Sequence, residues 1–535
     1  MKKQTKGVIL AVIFGGSLLF WATAASLPGI TPEDPTQTIT KTGTPMDNFP
    51  DVQRAQFCGT GQAKSNNYVT EFQIPTPCTQ PLAVVTDPNG NVWFTQTNTG
   101  RVAKFDPQTE TFVEYNNAQW SNLPAQRSMM WGIDYAPDAS LWFTDEAHDS
   151  IWKFSILDET YERTNYPKIA DSLPQRLVVD GSKIIVNDFT GNKLTFLDPT
   201  QSAEGLAYLT IPSPVENSVT GGFGIDADNN VWYTNWIFQS GGVLVKLDQD
   251  EIPEISEISD NLQIETDLFD VLSIFQFPSG MRTPNGVSAS PDGNIWIVDT
   301  SSSFFFKFDP DSETFTKYIT SIPHESSYGN STGIVKTPVS RPYWSEFDDQ
   351  GRLIFNEQTA NRIGVFDPKT ESLVEYMVPS KNPNWADCEN LPDCGLAQIF
   401  DVTVDGDKIW FTEWVENNIG LIDTSKPLPF DVELDERKIV LKRGEQTNLI
   451  LEITPYGSES VENVSISTAT TSLFSDIILD SDAPDTFQLN SNEPKLIEIS
   501  ITIGENALPD FHKVLIGAQT DEVVVAKYIT VIVEQ

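Results

Sequence analysis

The sequence predicts an all-β protein, a seven-bladed β-propeller followed by an immunoglobulin-like β-sandwich. Three observations predict it. The segment Asn91-Val-Trp-Phe-Thr-Gln96 recurs seven times, with Trp93, Trp142, Ile185, Trp232, Trp296, Ile354 and Trp410 in equivalent places. Each copy sits among short strand-like runs separated by turn residues. Past residue 428 the repeat stops, while apolar and polar residues go on alternating. An internal repeat outweighs any single motif, because it describes the whole architecture.

The first complete unit shows the grammar. It runs from Leu82-Ala-Val-Val-Thr86 through an Asp87-Pro-Asn-Gly90 turn, the segment ending at Gln96, Arg101-Val-Ala-Lys-Phe105, an Asp106-Pro-Gln-Thr109 turn and Thr111-Phe-Val-Glu-Tyr115. Four short strands joined by tight turns make an antiparallel meander. In five of the seven units an Asp stands thirteen residues after the reference position: Asp106, Asp198, Asp309, Asp367 and Asp423. Radial repetition of four-stranded units is the β-propeller arrangement.

One irregularity predicts ring closure. The seventh unit ends at Gly420-Leu-Ile-Asp423 with no outer strand after it, yet an unmatched copy, Tyr68-Val-Thr-Glu-Phe-Gln-Ile74, precedes the first unit. The early copy is therefore expected to supply the outer strand of the last blade. A Cys58–Cys78 bridge would brace that seam.

The organisation expected along the chain is a signal peptide or membrane anchor over 1–25, a Thr/Pro-rich tether over 26–57, the propeller over 58–425 and the sandwich over 428–535. Lys2, Lys3 and Lys6 precede an apolar run, and Ala22-Thr-Ala24 fits a small-residue cleavage pattern. Either form puts the body of the protein outside the cytoplasm, with membrane contact only through that segment. Four cysteines suit such a compartment, and Cys58–Cys78 with Cys388–Cys394 is the simplest of three possible pairings. Neither pair has zinc-site spacing. Lys+Arg number 34 against 75 Asp+Glu, a net charge of −41, which repels phosphate backbones and excludes nucleic acid as a partner.

The last residue of each copy is polar: Gln96, Asp145, Asp188, Asn235, Asp299, Glu357 and Glu413. If the units are blades, these positions form a ring. Carboxylates and amides converging on a channel would suit Ca²⁺ or Mg²⁺, with Glu357, Glu413 and Asp299 as candidate metal ligands. The alternative is architectural, each residue ending a strand and hydrogen-bonding backbone. Asn285 and Tyr343 complete the candidate ligand set. Of the three histidines, His148 reads as a solvated turn residue, His324 as part of a surface loop, and His512 as part of the C-terminal module.

The Trp-Phe-Thr-Glu/Asp segment, Pro284-Asn-Gly-Val287 and Asn361-Arg-Ile-Gly364 resemble the streptogramin (virginiamycin B) lyase family, with a looser likeness to gluconolactonase-type and NHL-repeat propellers. The resemblance covers about 68–425 and implies a seven-bladed propeller. It also implies a Mg²⁺-dependent ring-opening elimination, using a histidine on the first strand of one blade and Glu-x-His on its second. Glu413 matches the glutamate, which makes Glu413 and Glu357 the candidate catalytic residues. Val415 stands where the second histidine would be, the first-strand positions are Gln398, Ile399 and Phe400, and no histidine occurs from 325 to 511. General acid/base chemistry loses its usual agents there. The expected function is therefore a cell-surface propeller binding a small molecule, glycan or protein at its channel face. The alternatives are a metal-dependent carbon–oxygen lyase or lactonase-like hydrolase, and a structural cell-envelope component.

Overall fold

The computed structural model describes residues 58–534 apart from 60–61, 126, 167–171, 182, 199–207, 239, 253–270, 330–338, 387, 389–390, 392 and 473–475. The expected signal segment and tether lie outside the described residues. No described helix is long and apolar enough to cross a membrane.

Seven four-stranded antiparallel meanders make the ring. Blade 1 comprises Pro81–Thr86, Val92–Gln96, Arg101–Asp106 and Thr111–Tyr115. The first strands of blades 2 to 7 are Ile133–Ala136, Pro174–Asp180, Val219–Ile225, Pro284–Ala289, Pro342–Phe347 and Ile399–Asp405. These first strands neighbour one another in an unbroken circle. Blade 7 is completed by Val69–Gln73, which pairs antiparallel with Asn418–Asp423, Val69 opposite Ile422 and Gln73 opposite Asn418. The ring thus closes by joining its two chain ends in one sheet, and Cys58–Cys78 bridges that seam. Closure leaves the propeller sheets only short edges.

The repeated segment is the second strand of each blade, and the geometry explains its residues one by one. Its Trp packs against the third-strand Phe of the next blade. Ring centroids lie 6.1 Å apart for Trp93–Phe154, 5.9 Å for Trp232–Phe308, 5.2 Å for Trp296–Phe366 and 5.8 Å for Trp410–Phe105. The indole N–H of Trp93 and of Trp232 donates to the Asp that opens its own hairpin turn, Asp87 at 2.9 Å and Asp226 at 2.7 Å. The Thr or Asn two residues on clasps neighbouring blades. Thr95 donates to the Met130 carbonyl, Thr144 to Gln175, Asn187 to Thr220, Thr234 to Pro284, Asn356 to Ile399 and Thr412 to Leu82, over 2.6–3.1 Å. Blade 5 has Val298 at that position, and Thr300 donates to the Pro342 carbonyl instead, at 3.2 Å. Seven blades thus carry seven clasps, the last joining blade 7 to blade 1. Each one satisfies a buried carbonyl that the sheet ladder leaves free.

The recurring Asp of the third turn caps it. Asp106, Asp309, Asp367 and Asp423 accept the backbone N–H two residues later at 2.8–3.0 Å. This is an Asx-turn, and Asp supplies it without a special backbone angle.

The C-terminal strands form two sheets. One has the order Phe430–Leu434, Gln446–Pro455, Lys495–Ile503, Ile477–Ser481. The other contains Val461–Thr470, Asp510–Gln519 and Val523–Glu534, with Lys438–Lys442 parallel to the last of these. Inward residues of both sheets, including Leu451, Ile499, Ile516 and Val531, share one core. This second sheet is continuous with the propeller: Ser372–Met377, the outer strand of blade 6, pairs with Val523–Lys527 to make a nine-stranded sheet. Tyr528 donates to the Ile319 carbonyl, and Lys513 pairs with Glu371. The C-terminal region is therefore docked on blades 5 and 6 through backbone pairing and a packed interface.

Candidate functional site

The seven polar residues at the ends of the second strands are all fully buried, and each finds partners in its own blade or an adjoining loop. Asp188 accepts from the Leu173 and Gly191 N–H groups at 2.7 and 2.8 Å and pairs with Lys193 at 3.3 Å. Asp299 accepts from the Thr283 N–H and the Ser301 and Ser302 hydroxyls. Asn235 is held by Val215, Ser218 and Val219, and Gln96 by Glu114 and Thr99. Asp145 holds His148 Nδ1 at 2.9 Å and the Trp152 indole at 2.8 Å. His148 is accordingly buried, edge-on to Trp120, where the sequence suggested a solvated turn. His324 is exposed and caps the short helix Glu325–Tyr328, as expected of a surface loop.

The side chains run across each blade in a column of second, third and outer strand. In blade 6 the column is Glu357–Arg362–Glu375, the guanidinium lying 2.7 Å and 3.4 Å from the two carboxylates. In blade 7 the same places hold Glu413, Asn418 and Glu71, with Asn418 donating to Glu413 at 3.0 Å. Two carboxylates face each other there without a cation. Burial, then the Glu71 charge, pushes Glu413 well above the usual carboxylate range. Burial raises Glu71 too, against donors from Ser380 and Lys64. Glu416, beside them, is pushed up to about 6 by burial.

Glu357, Glu413 and Asp299 therefore do not fit one shared ion. Glu357 already holds a guanidinium, Asp299 is bound into its own turn, and Glu413 shares its pocket with a second carboxylate. No group of three or more His, Cys, Asp or Glu arranged to hold a metal occurs among the described residues.

The residues nearest the ring axis lie on the first strands or just before them. A first tier comprises Gln80, Met129, Leu173, Val219, Thr283, Arg341 and Gln398. In six blades its carbonyl accepts the N–H of the residue that follows the repeated segment. In blade 4, Val219 pairs with Trp236. Two residues on, a second tier holds Leu82, Trp131, Gln175, Gly221, Asn285, Tyr343 and Phe400. The apolar members of both tiers join Phe189, Trp236, Trp414 and Val415 in one cluster at this end of the ring. Trp131 meets Phe400 at 5.8 Å, Phe400 meets Tyr343 at 5.8 Å, and Trp385 lies on Trp414 at 5.5 Å beneath the loop stapled by Cys388–Cys394.

A register shift at the second tier, repeated in six blades, lets the next side chains converge on the axis as well. Arg176 of blade 3 reaches Asp401 of blade 7 at 3.2 Å and lies over the Trp344 ring of blade 6 at 5.6 Å. Trp344 fits because blade 4 offers Gly222, where a Cβ would stand 2.4 Å from the indole. These three side chains plug the channel and give the mouth a floor. Further along, Glu346 and Asp134 add negative charge around Arg176, and burial pushes Glu346 up to about 8.

Of the predicted ligand residues, the structure places Asn285 and Tyr343 in the mouth and the seven segment-end residues in the blades. Sequence reasoning missed Trp131, Gln175, Arg176, Arg341 and Trp344, and named Phe400 only as a first-strand position that lacks a histidine. The signal available was positional: these lie at fixed offsets on the strand before each segment, where residue types vary most.

No protein-family model matches the sequence, and no curated protein matches it. Among solved structures, the chain is similar to virginiamycin B lyase from Staphylococcus aureus. Identity is 18% and the TM-score 0.50, over 68% of this chain and 99% of that one. A catalytically inactive variant of that lyase, solved with quinupristin, gives the same values. The likeness is one of fold. A streptogramin B lyase structure matches at 18% identity and a TM-score of 0.49, over 66% of this chain and 96% of that one. In this propeller, Val415 is buried in the aromatic cluster of the mouth, and Phe400 faces Trp131.

Proposed function

We propose that the protein is an extracytoplasmic binding propeller that takes a ring-bearing small molecule or glycan into the mouth above the Arg176–Trp344–Asp401 plug. One observation carries this reading. Buried hydrogen-bonding groups without a partner among the described residues occur across the blades, and a group of them shares the two tiers: both amide atoms of Gln80, Gln175 Nε2, Thr283 Oγ1, Asn285 Oδ1 and Gln398 Oε1. Buried polar groups left unpaired cost about 1–3 kcal/mol each, so a group of them at one end of a ring favours an occupant that satisfies them. The aromatic arc of Trp131, Tyr343 and Phe400 supplies flat apolar surface, and Gln175 and Asn285 supply directional amides. Such a mixture orients a polar ring while desolvating its faces. Two disulfides suit an oxidising compartment, and the C-terminal sheets, read as an immunoglobulin-like module, would present blade 6 and its neighbours to a surface.

Tryptophan fluorescence tests this reading, because Trp131, Trp236, Trp344 and Trp414 all border the mouth. Oligosaccharides and cyclic small molecules should include one that shifts the emission of wild type. Trp131→Ala or Gln175→Ala should weaken the response without lowering stability below the physiological range. If no compound of either class changes emission or melting temperature, the binding reading fails.

A lyase reading is favoured by one feature, the Glu413 carboxyl, whose Oε1 lacks a donor and which holds a proton above the usual range. Quinupristin, with which the inactive lyase variant was solved, is its direct test. Elimination opens the ring without a change of mass, so a linear isomer separated by chromatography and identified by its fragmentation, and lost in Glu413→Gln, would favour catalysis.

A further inference from the structure

The first tier of the mouth is divided. Blades 2, 3 and 4 contribute Met129, Leu173 and Val219, whereas blades 5, 6, 7 and 1 contribute Thr283, Arg341, Gln398 and Gln80. Three consecutive blades also share an unusual backbone. Arg341, Gln398 and Gln80 have φ of 58°, 56° and 54°, the left-handed region that side chains with a Cβ avoid. Such residues persist where the surroundings over-determine them, and they concentrate at ligand clamps.

Arg341 stands apart within this arc. Its Nε and Nη1 are buried with no hydrogen-bond partner among the described residues, and no described carboxylate pairs with it, in a chain carrying 75 acidic residues. Two other arginines inside the propeller are paired, Arg176 with Asp401 and Arg362 with Glu357 and Glu375. Arg341 as a whole is half-buried, but burial of its guanidinium pushes it down to about 10, and no charge among the described residues offsets that desolvation. The stretch just before it in the chain, 330–338, contains no Asp or Glu. A guanidinium with two buried, unpaired N–H groups is costly, and a site that keeps one is matched to an anion that arrives from outside.

We infer that Arg341 anchors an organic anion. The ligand is an amphipathic molecule with a carboxylate head, set against Arg341 with Gln398 and Gln80 on the following two blades, and an apolar ring body on the aromatic arc of the second tier. This deepens the binding reading above and rests on it. The planar guanidinium suits a carboxylate through two parallel N–H donors, which a lysine cannot reproduce.

The test compares 4-phenylbutyrate with 4-phenylbutanamide, which differ only in the head group, an anionic carboxylate against a neutral amide. Affinity is read by tryptophan fluorescence on wild type, Arg341→Gln, Arg341→Lys and Trp131→Ala. On wild type the carboxylate should bind about tenfold or more tighter than the amide. Arg341→Gln should erase that preference, Arg341→Lys should keep part of it, and Trp131→Ala should weaken both compounds alike. Without ligand, Arg341→Gln should melt no lower than wild type, because it removes an unpaired buried charge. Equal affinities on wild type would overturn the anion assignment while leaving the binding reading intact. Binding of neither compound would count against both. A preference unchanged in Arg341→Gln, or a sharp fall in that variant's melting temperature without ligand, would assign the residue to the scaffold. Inorganic phosphate competing as well as phenylbutyrate would overturn the amphipathic class.

Discussion

Replacing Glu413 by Gln should stabilise this protein at neutral pH and change little in mild acid. Glu413 and Glu71 face each other in blade 7, where the matching residues of blade 6 have Arg362 between them. Donors from Ser380 and Lys64 occupy Glu71, so the ionised form suits it, while Glu413 Oε1 has no donor. The native state therefore keeps a proton on Glu413, and the unfolded chain releases it near the ordinary glutamate value. Wherever the native state binds more protons than the unfolded one, stability falls as pH rises. The loss begins above the unfolded pKa of 4.5 and continues until the native pKa, which is raised, is passed. Each pH unit in that window costs about 1.4 kcal/mol per proton retained. The glutamine introduced by Glu413→Gln carries its amide hydrogens permanently and can donate to Glu71 at every pH. Other raised carboxyls, Glu346 and Glu357 among them, contribute equally to both proteins and cancel in the difference. Melting temperatures of wild type and Glu413→Gln across pH 5–8 should thus converge in acid and separate by several degrees at neutral pH, with the variant higher. The gap should survive 1 M salt, because a buried pair is weakly screened. Parallel curves, or a variant that melts lower throughout, would refute the shared-proton geometry.

Arg362→Met strands Glu357 and Glu375 together and should cost about 3–5 kcal/mol in chemical denaturation at pH 7, with much of the loss recovered at pH 5, where a carboxyl can protonate. Thr412→Val removes the clasp between blade 7 and the Leu82 carbonyl, 2.7 Å away, and should cost about 1–2 kcal/mol with faster exchange of the amides in Val69–Gln73. Cys58→Ser with Cys78→Ser opens a bridge of sequence separation 20 and should cost about 3 kcal/mol, read as a lower denaturation midpoint that reducing agent does not lower further. EDTA, Ca²⁺ and Mg²⁺ should leave the melting temperature of wild type unchanged, since Glu357, Glu413 and Asp299 are bound in separate blades; a divalent-ion shift lost in the Glu357→Gln/Glu413→Gln double variant would contradict that.

The number of blades, the strand order within each and the closing role of Val69–Gln73 were legible in the sequence. Those features are local: a period, a turn chemistry and a missing strand can be read along one dimension. The docking of the C-terminal sheet on the outer strand of blade 6 was not, because Ser372–Met377 and Val523–Glu534 pair through backbone groups that every sequence carries. The segment-end residues were visible as a repeated position, yet their neighbours across the blade decided their state. Glu357 and Glu413 are the same residue in the same register, and only the third-strand partner, Arg362 or Asn418, separates an ion pair from a shared proton.

The sequence by itself determined the repeat and hence the ring, because Trp, Thr and Asp recur wherever each blade must pack on, clasp and turn toward the next. Tertiary structure alone decided which side chains face the axis. The first-strand bulge brings Gln175, Arg176, Trp344 and Phe400 to one mouth from positions that share no motif, since a channel needs different residues from each blade to make an asymmetric site out of a symmetric frame.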